Sequence, residues 1–127
     1  MNLIKKLVEL ENEASAFGFQ WEDAEQIMQQ IQSECLEVNE HLQAKTSLNE
    51  ASLQEEIGDL LHAVFSLCIF CKLDPEQTLQ NTLEKFEKRM GLVKIIAKEK
   101  GLSTLHHQSF EQLMAIWNLA KERIANK

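Results

Sequence analysis

Four carboxylates stand in two pairs of equal spacing, Glu34 with Glu37 in ECLE and Glu56 with Asp59 in EIGD. A separation of three puts both members of a pair on one side of a helix. Each pair also interrupts an apolar face. Glu34 falls three after Ile31 and four before Val38, and Glu56 falls three after Leu53 and four before Leu60. Hard oxygen donors in this arrangement suit Mg²⁺ or Mn²⁺, with positions left for water and phosphate oxygens. If all four were ionised within about 5 Å of one another, each close pair would repel by ~3 kcal/mol at an effective dielectric near 20. Protonation, basic partners or a bound cation can compensate that cost. The plainer alternative is that ExxE pairs in a Glu-rich chain are solvated faces or surface salt bridges.

The elements that must position these groups read as an all-α bundle of five helices. Leu3, Leu7, Leu10 and Ala14 mark a first helix ending near Phe17 and Gly18. A second runs from about Glu22 to Ala44, with Ala24, Ile27, Ile31, Cys35, Val38 and Leu42 on one face. The polar segment KTSLNEAS separates it from a third, from about Asn49 to Leu73, which carries the second carboxylate pair. An antiparallel hairpin with a short turn brings the two pairs opposite each other. Asp74 can cap a fourth helix with Pro75 at its first position and Gln77 completing a capping box. That helix carries Leu79, Leu83, Phe86, Met90 and Val93 and runs to about Lys100, before Gly101. Ser109 with Gln112 caps a last helix, on which Leu113, Trp117, Ala120 and Ile124 lie in register. No repeat or internal boundary interrupts residues 1–127, which read as one domain. The third helix is apolar on most sides from Leu60 to Cys71, so its burial calls for a second subunit, as a homodimer or dimer of dimers.

Composition bounds the rest. A hydrophobic fraction of 44% in 127 residues supports a core, and few Gly, a single Pro and no Tyr favour helix over sheet. With 20 acidic against 13 basic residues there is no basic stripe for polymeric nucleic acid. No apolar run is long enough to cross a bilayer, and the N-terminus MNLIKKLVELENE lacks the apolar core of a signal peptide. A cytoplasmic protein is expected. Cys35, Cys68 and Cys71 are an odd set that suits a reducing compartment. Without further ligands at zinc spacing, the C-x-x-C of SLCIFCKL reads as buried core thiols.

The ordered series ExxE then EEIGDLL resembles the MazG-type nucleoside triphosphate pyrophosphohydrolases, of the all-α NTP pyrophosphatase superfamily. The likeness runs from GFQW at 18–21 through LDPEQTL and EKFEKRM to IWNLAK at 116–121. It is most like the C-terminal catalytic half of two-domain MazG proteins. The resemblance implies an all-helical dimer that uses Mg²⁺ to hydrolyse NTPs to nucleoside monophosphate and pyrophosphate, a house-cleaning of the nucleotide pool. It implies Glu34, Glu37, Glu56 and Asp59 as metal ligands, Lys85 and Arg89 as phosphate contacts, and Trp117 and Lys121 as lining of the nucleotide site.

Each assignment has a structural alternative. Lys85 and Arg89 can pair with Glu84 or Glu87 at the surface, Trp117 can simply pack, and Trp21 reads as a packing anchor. Ser33, Gln30 and His62 depart from the family's usual Glu, basic residue and Phe. His62 shares a helix face with Asp59 and reads as a satisfied, partly buried histidine, while Gly58 would permit close approach to the pocket. A narrow dCTP, dUTP or phosphoribosyl-ATP pyrophosphohydrolase, or a helical interaction module with weakened turnover, would share the same bundle.

Overall fold

The computed structural model describes residues 2–44 and 49–126, and their ordered secondary structure is entirely helical. The five helices are α1 Leu3–Ala16, α2 Ala24–Gln43, α3 Glu50–Phe70, α4 Pro75–Glu99 and α5 Phe110–Ala125. Of the expected polar turn KTSLNEAS, residues 45–48 lie outside the described residues.

Short-range chemistry sets the helix ends. Asn2 accepts hydrogen bonds from the Ile4 and Lys5 amides, Asp23 from Gln26, and Asn49 from Ser52, so each α1–α3 start has a side-chain cap. Ser109 and Gln112 form a reciprocal capping box, with bonds of 2.9 and 3.1 Å. At the other end, Gly18 and Gly101 take positive φ values of 99° and 76°, and paired backbone bonds close the last turns of α1 and α4. The same closure ends α3 early. Lys72 adopts φ 62°, its amide bonds Ile69 and the Leu73 amide bonds Cys68, so the helix stops at Phe70 rather than near Leu73. A lysine in the left-handed region carries no glycine signal, which is why its sequence reads as continuing helix.

Two compact units follow along the chain, residues 1–78 and 79–127. In the first, α2 and α3 pack as a hairpin and α1 lies against α3. Ile27 and Ala63 are its buried apolar residues. In the second, Val93 and Ile96 of α4 pack with Ile116 and Ala120 of α5, flanked by Met90, Leu92, Leu105, Trp117 and Leu119.

Several faces differ from the expected ones. On α2 the inward stripe is Ala24, Ile27, Ile31, Glu34, Val38 and His41, while Cys35 and Leu42 face outward. On α4 the buried side begins near Met90, and Leu79, Leu83 and Phe86 are exposed. The thiols are not core residues. Cys35 and Cys71 are exposed, and half-buried Cys68 bonds the Leu73 carbonyl and the Thr78 hydroxyl at the helix end. Ile57, Leu61 and Val64 form an apolar stripe on α3 that the described residues leave exposed, at 42%, 56% and 48%.

Candidate metal centre

Glu34 enters the site from the inward stripe of α2 and is itself buried, at 8% exposure. Glu56 and Asp59 come from α3, half-buried and exposed respectively. One oxygen from each of these three carboxylates lies within 4.8 Å of the others. Oε2 of Glu34 and Oε2 of Glu56 are buried with no hydrogen-bond partner. Buried acceptors of this kind are costly unless something meets them, and a hard cation is a partner of matching chemistry. The acidic cluster therefore fits a divalent ion held by oxygen.

Glu37 adjoins the three without joining the convergent set. A hydrogen bond shared with Glu56, and that group's charge, raise the Glu37 carboxyl above its ordinary value. Burial raises Glu34 first, followed by the charge on Glu37. A bond opposes this rise: Gln30 Nε2 donates to Glu34 Oε1 at 2.7 Å. Gln30 thus orients the most buried carboxylate of the cluster from one turn earlier, a role legible in its i, i+4 spacing from Glu34.

These shifts predict an unusual pH response. Glu34 and Glu37 bind protons more tightly when folded than when unfolded, so their contribution favours the fold at low pH and is lost as pH rises above 4.5 through their raised values. Urea midpoints in EDTA are expected to fall as the pH rises above 4.5, and Mg²⁺ to restore more stability at the higher pH. Glu99, lowered chiefly by its hydrogen bond with Arg123, acts in the opposite sense below 4.5 and so does not mask the trend.

Around the carboxylates, α1 supplies a residue that the sequence did not single out. Glu11 accepts from Ser66 Oγ at 2.8 Å and meets His62 Nε2 at 2.6 Å. His62 is satisfied, as expected, but its side chain is 62% exposed rather than partly buried, and Glu11 rather than the carboxylate cluster holds it. No local pattern reveals this contact, because the partners lie more than fifty positions apart. A Cβ added at Gly58 would meet nothing within 4 Å, so no described residue uses the close approach expected there.

The second unit holds the candidate phosphate and nucleotide residues. The Arg89 guanidinium carbon lies 5.4 Å from the centre of the Trp117 ring, and its Nε is buried without a hydrogen-bond partner. Among the described residues neither Lys85 nor Arg89 makes a salt bridge, and Glu84 instead accepts from Gln80 at 3.1 Å. Lys85 lines an open depression of ≈ 300 Å³ with Asn81, Glu84, Lys88 and Ile124. Trp117 is half-buried against the α4–α5 core, and Lys121 stands exposed one turn later on α5.

The sequence profile of the MazG nucleotide pyrophosphohydrolase domain matches residues 22–93, more than half of the chain. The chain belongs to the MazG family. All four carboxylates, together with Lys85 and Arg89, fall inside the matched MazG segment. Over 112 residues it is 31% identical to the nucleoside triphosphate pyrophosphohydrolase/pyrophosphatase MazG of Thermotoga maritima, covering 88% of this chain and 41% of that protein. It is 29% identical over 106 residues to the nucleoside triphosphate pyrophosphohydrolase of Escherichia coli K12, covering 84% of this chain and 40% of that one. A third relative, YabN of Bacillus subtilis, is 38% identical over 74 residues, 58% of this chain and 15% of the relative. The chain therefore spans well under half the length of these relatives.

Proposed function

We propose that this chain hydrolyses nucleoside triphosphates to nucleoside monophosphate and pyrophosphate with Mg²⁺, or Mn²⁺ in its place, as one catalytic domain over residues 1–127. The observation that carries the reading is the meeting of Glu34, Glu56 and Asp59 around two orphaned buried oxygens, in a chain of the MazG family. The T. maritima and E. coli relatives bear the names of such pyrophosphohydrolases.

In this proposal Glu34, Glu56 and Asp59 hold the ion, with Glu37 beside them as the fourth acidic ligand. When bound, the ion supplies neutralisation of the triphosphate and a lowered pKa for a coordinated water. Water adds to phosphorus as the P–O bond of the α–β bridge breaks. Attack at the α-phosphorus expels pyrophosphate, attack at the β-phosphorus expels the nucleoside monophosphate, and both routes yield the same two products. Lys85 and Arg89 stabilise the charge that grows on the leaving phosphates, and Arg89 can do so through two parallel N–H bonds. Trp117 and Lys121 belong to the nucleotide site.

The test is a product assay on a panel of NTPs and dNTPs. Equal amounts of nucleoside monophosphate and pyrophosphate, formed only with Mg²⁺ or Mn²⁺, are expected. Orthophosphate as the first product would indicate a phosphatase and end the assignment.

The working form in this reading is a homodimer or dimer of dimers in which a second copy covers Ile57, Leu61 and Val64. Three large apolar side chains at 4 and 3 spacing form the seam of a helix contact. Sedimentation at micromolar concentration is expected to show a dimer or larger. A lone 14.6 kDa species would overturn that part of the proposal. Three free cysteines suit the cytoplasm, and no described helix is long and apolar enough to cross a membrane.

A further inference from the structure

The ring of Trp117 already has a charged occupant. Arg89 and Phe86, three residues apart on α4, both reach it from one helix face. The guanidinium lies over the ring at 5.4 Å, and the Phe86 centroid is 5.9 Å away with the planes tilted by 50°. Trp117 in turn is seated against Val93, Ile96, Ile116 and Ala120, so its ring is a fixed platform. Arg89 has no other hold among the described residues. Its Nε is buried and unpaired, and no carboxylate lies within salt-bridge reach. A guanidinium kept partly from water without a carboxylate lacks the compensation that an anionic ligand would supply.

We infer that Trp117 is a positioning residue for Arg89 rather than a platform for the base. The indole holds the guanidinium by a cation–π contact, Phe86 limits the tilt of the indole, and the arginine's fork is thereby kept ready for the triphosphate. This rests on the reading that Arg89 contacts phosphate. Its consequence is a specificity statement: Trp117 contributes equally to every nucleotide, because it acts on the part they share.

Inorganic triphosphate carries the phosphates and no base, so it separates the two roles. Its binding to the full chain with Mg²⁺ would be measured by calorimetry, beside kcat/KM for ATP, GTP, CTP and UTP. Trp117→Leu is expected to weaken inorganic triphosphate and to lower all four kcat/KM values by one common factor, roughly 3- to 30-fold. Trp117→Phe, which keeps a ring under the guanidinium, should recover most of the loss. In an Arg89→Ala background, Trp117→Leu should add less than about twofold, since the interaction it serves is gone. If Trp117→Leu fails to fold, Trp117→Met gives the same comparison with the volume filled. A loss that varies with the base and spares inorganic triphosphate would overturn the inference, as would losses that multiply in the double variant. Arg89→Ala leaving triphosphate binding unchanged would overturn the phosphate role of Arg89 and this inference together.

Discussion

Glu56→Gln should abolish both hydrolysis and Mg²⁺ stabilisation while leaving the metal-free protein as stable as before or more so. The substitution keeps the shape of the side chain and removes one charge from a cluster of four carboxylates. In EDTA that charge contributes mainly repulsion and desolvation cost, so its removal should raise stability by roughly 1 kcal/mol at the screened, half-buried position it occupies. With Mg²⁺ the sign should reverse, because the proposed metal centre would lose a ligand and with it the linkage between ion binding and folding. An opposite result belongs to a different structure. Were Glu56 half of a buried ion pair, the change would strand a cation and cost about 3–5 kcal/mol without metal. No lysine or arginine among the described residues makes such a pair with it. Urea melts in EDTA and in Mg²⁺ separate the two cases by sign. A large metal-free loss with an unchanged Mg²⁺ response would rule out the metal centre.

The second large effect is expected at the basic pair. Arg89→Ala should lower kcat/KM by about 10²–10³-fold and Lys85→Ala by a comparable factor, the scale on which preorganised donors to a developing anion act. Neither should alter the Mg²⁺ dependence of the urea midpoint, since the proposed function has both residues act on phosphate and not on the ion. Arg89→Lys should recover little of the loss, because an ammonium has neither the planar fork nor the stacking that the Trp117 ring supports. Unchanged kcat/KM in either alanine variant would remove that residue from the mechanism.

Much of this arrangement was legible before any coordinates. The cap at Ser109, the start at Pro75 and the stops at Gly18 and Gly101 depend on bonds that span two to five residues. Side-chain type alone can therefore announce them. The carboxylate pairs were visible for the same reason, since Glu34 and Glu56 each broke an apolar stripe at helical spacing, and both turned inward.

What the sequence left open was the rotation of each helix and every contact that crosses between helices. The periodicity of α2 allowed a face through Cys35 and Leu42, and packing on α3 chose the neighbouring one through Glu34 and His41. The thiols of SLCIFCKL read as core, yet closure at Lys72 leaves Cys71 at an exposed helix end. The tie of Glu11 to His62 and Ser66, and the seat of Arg89 on Trp117, join residues that no local spacing relates. Local composition determined which helices form and which of them carry charge into an apolar face. Only the tertiary structure decided which carboxylates converge and what holds the arginine, because those outcomes depend on how side chains from distant segments fill a shared space.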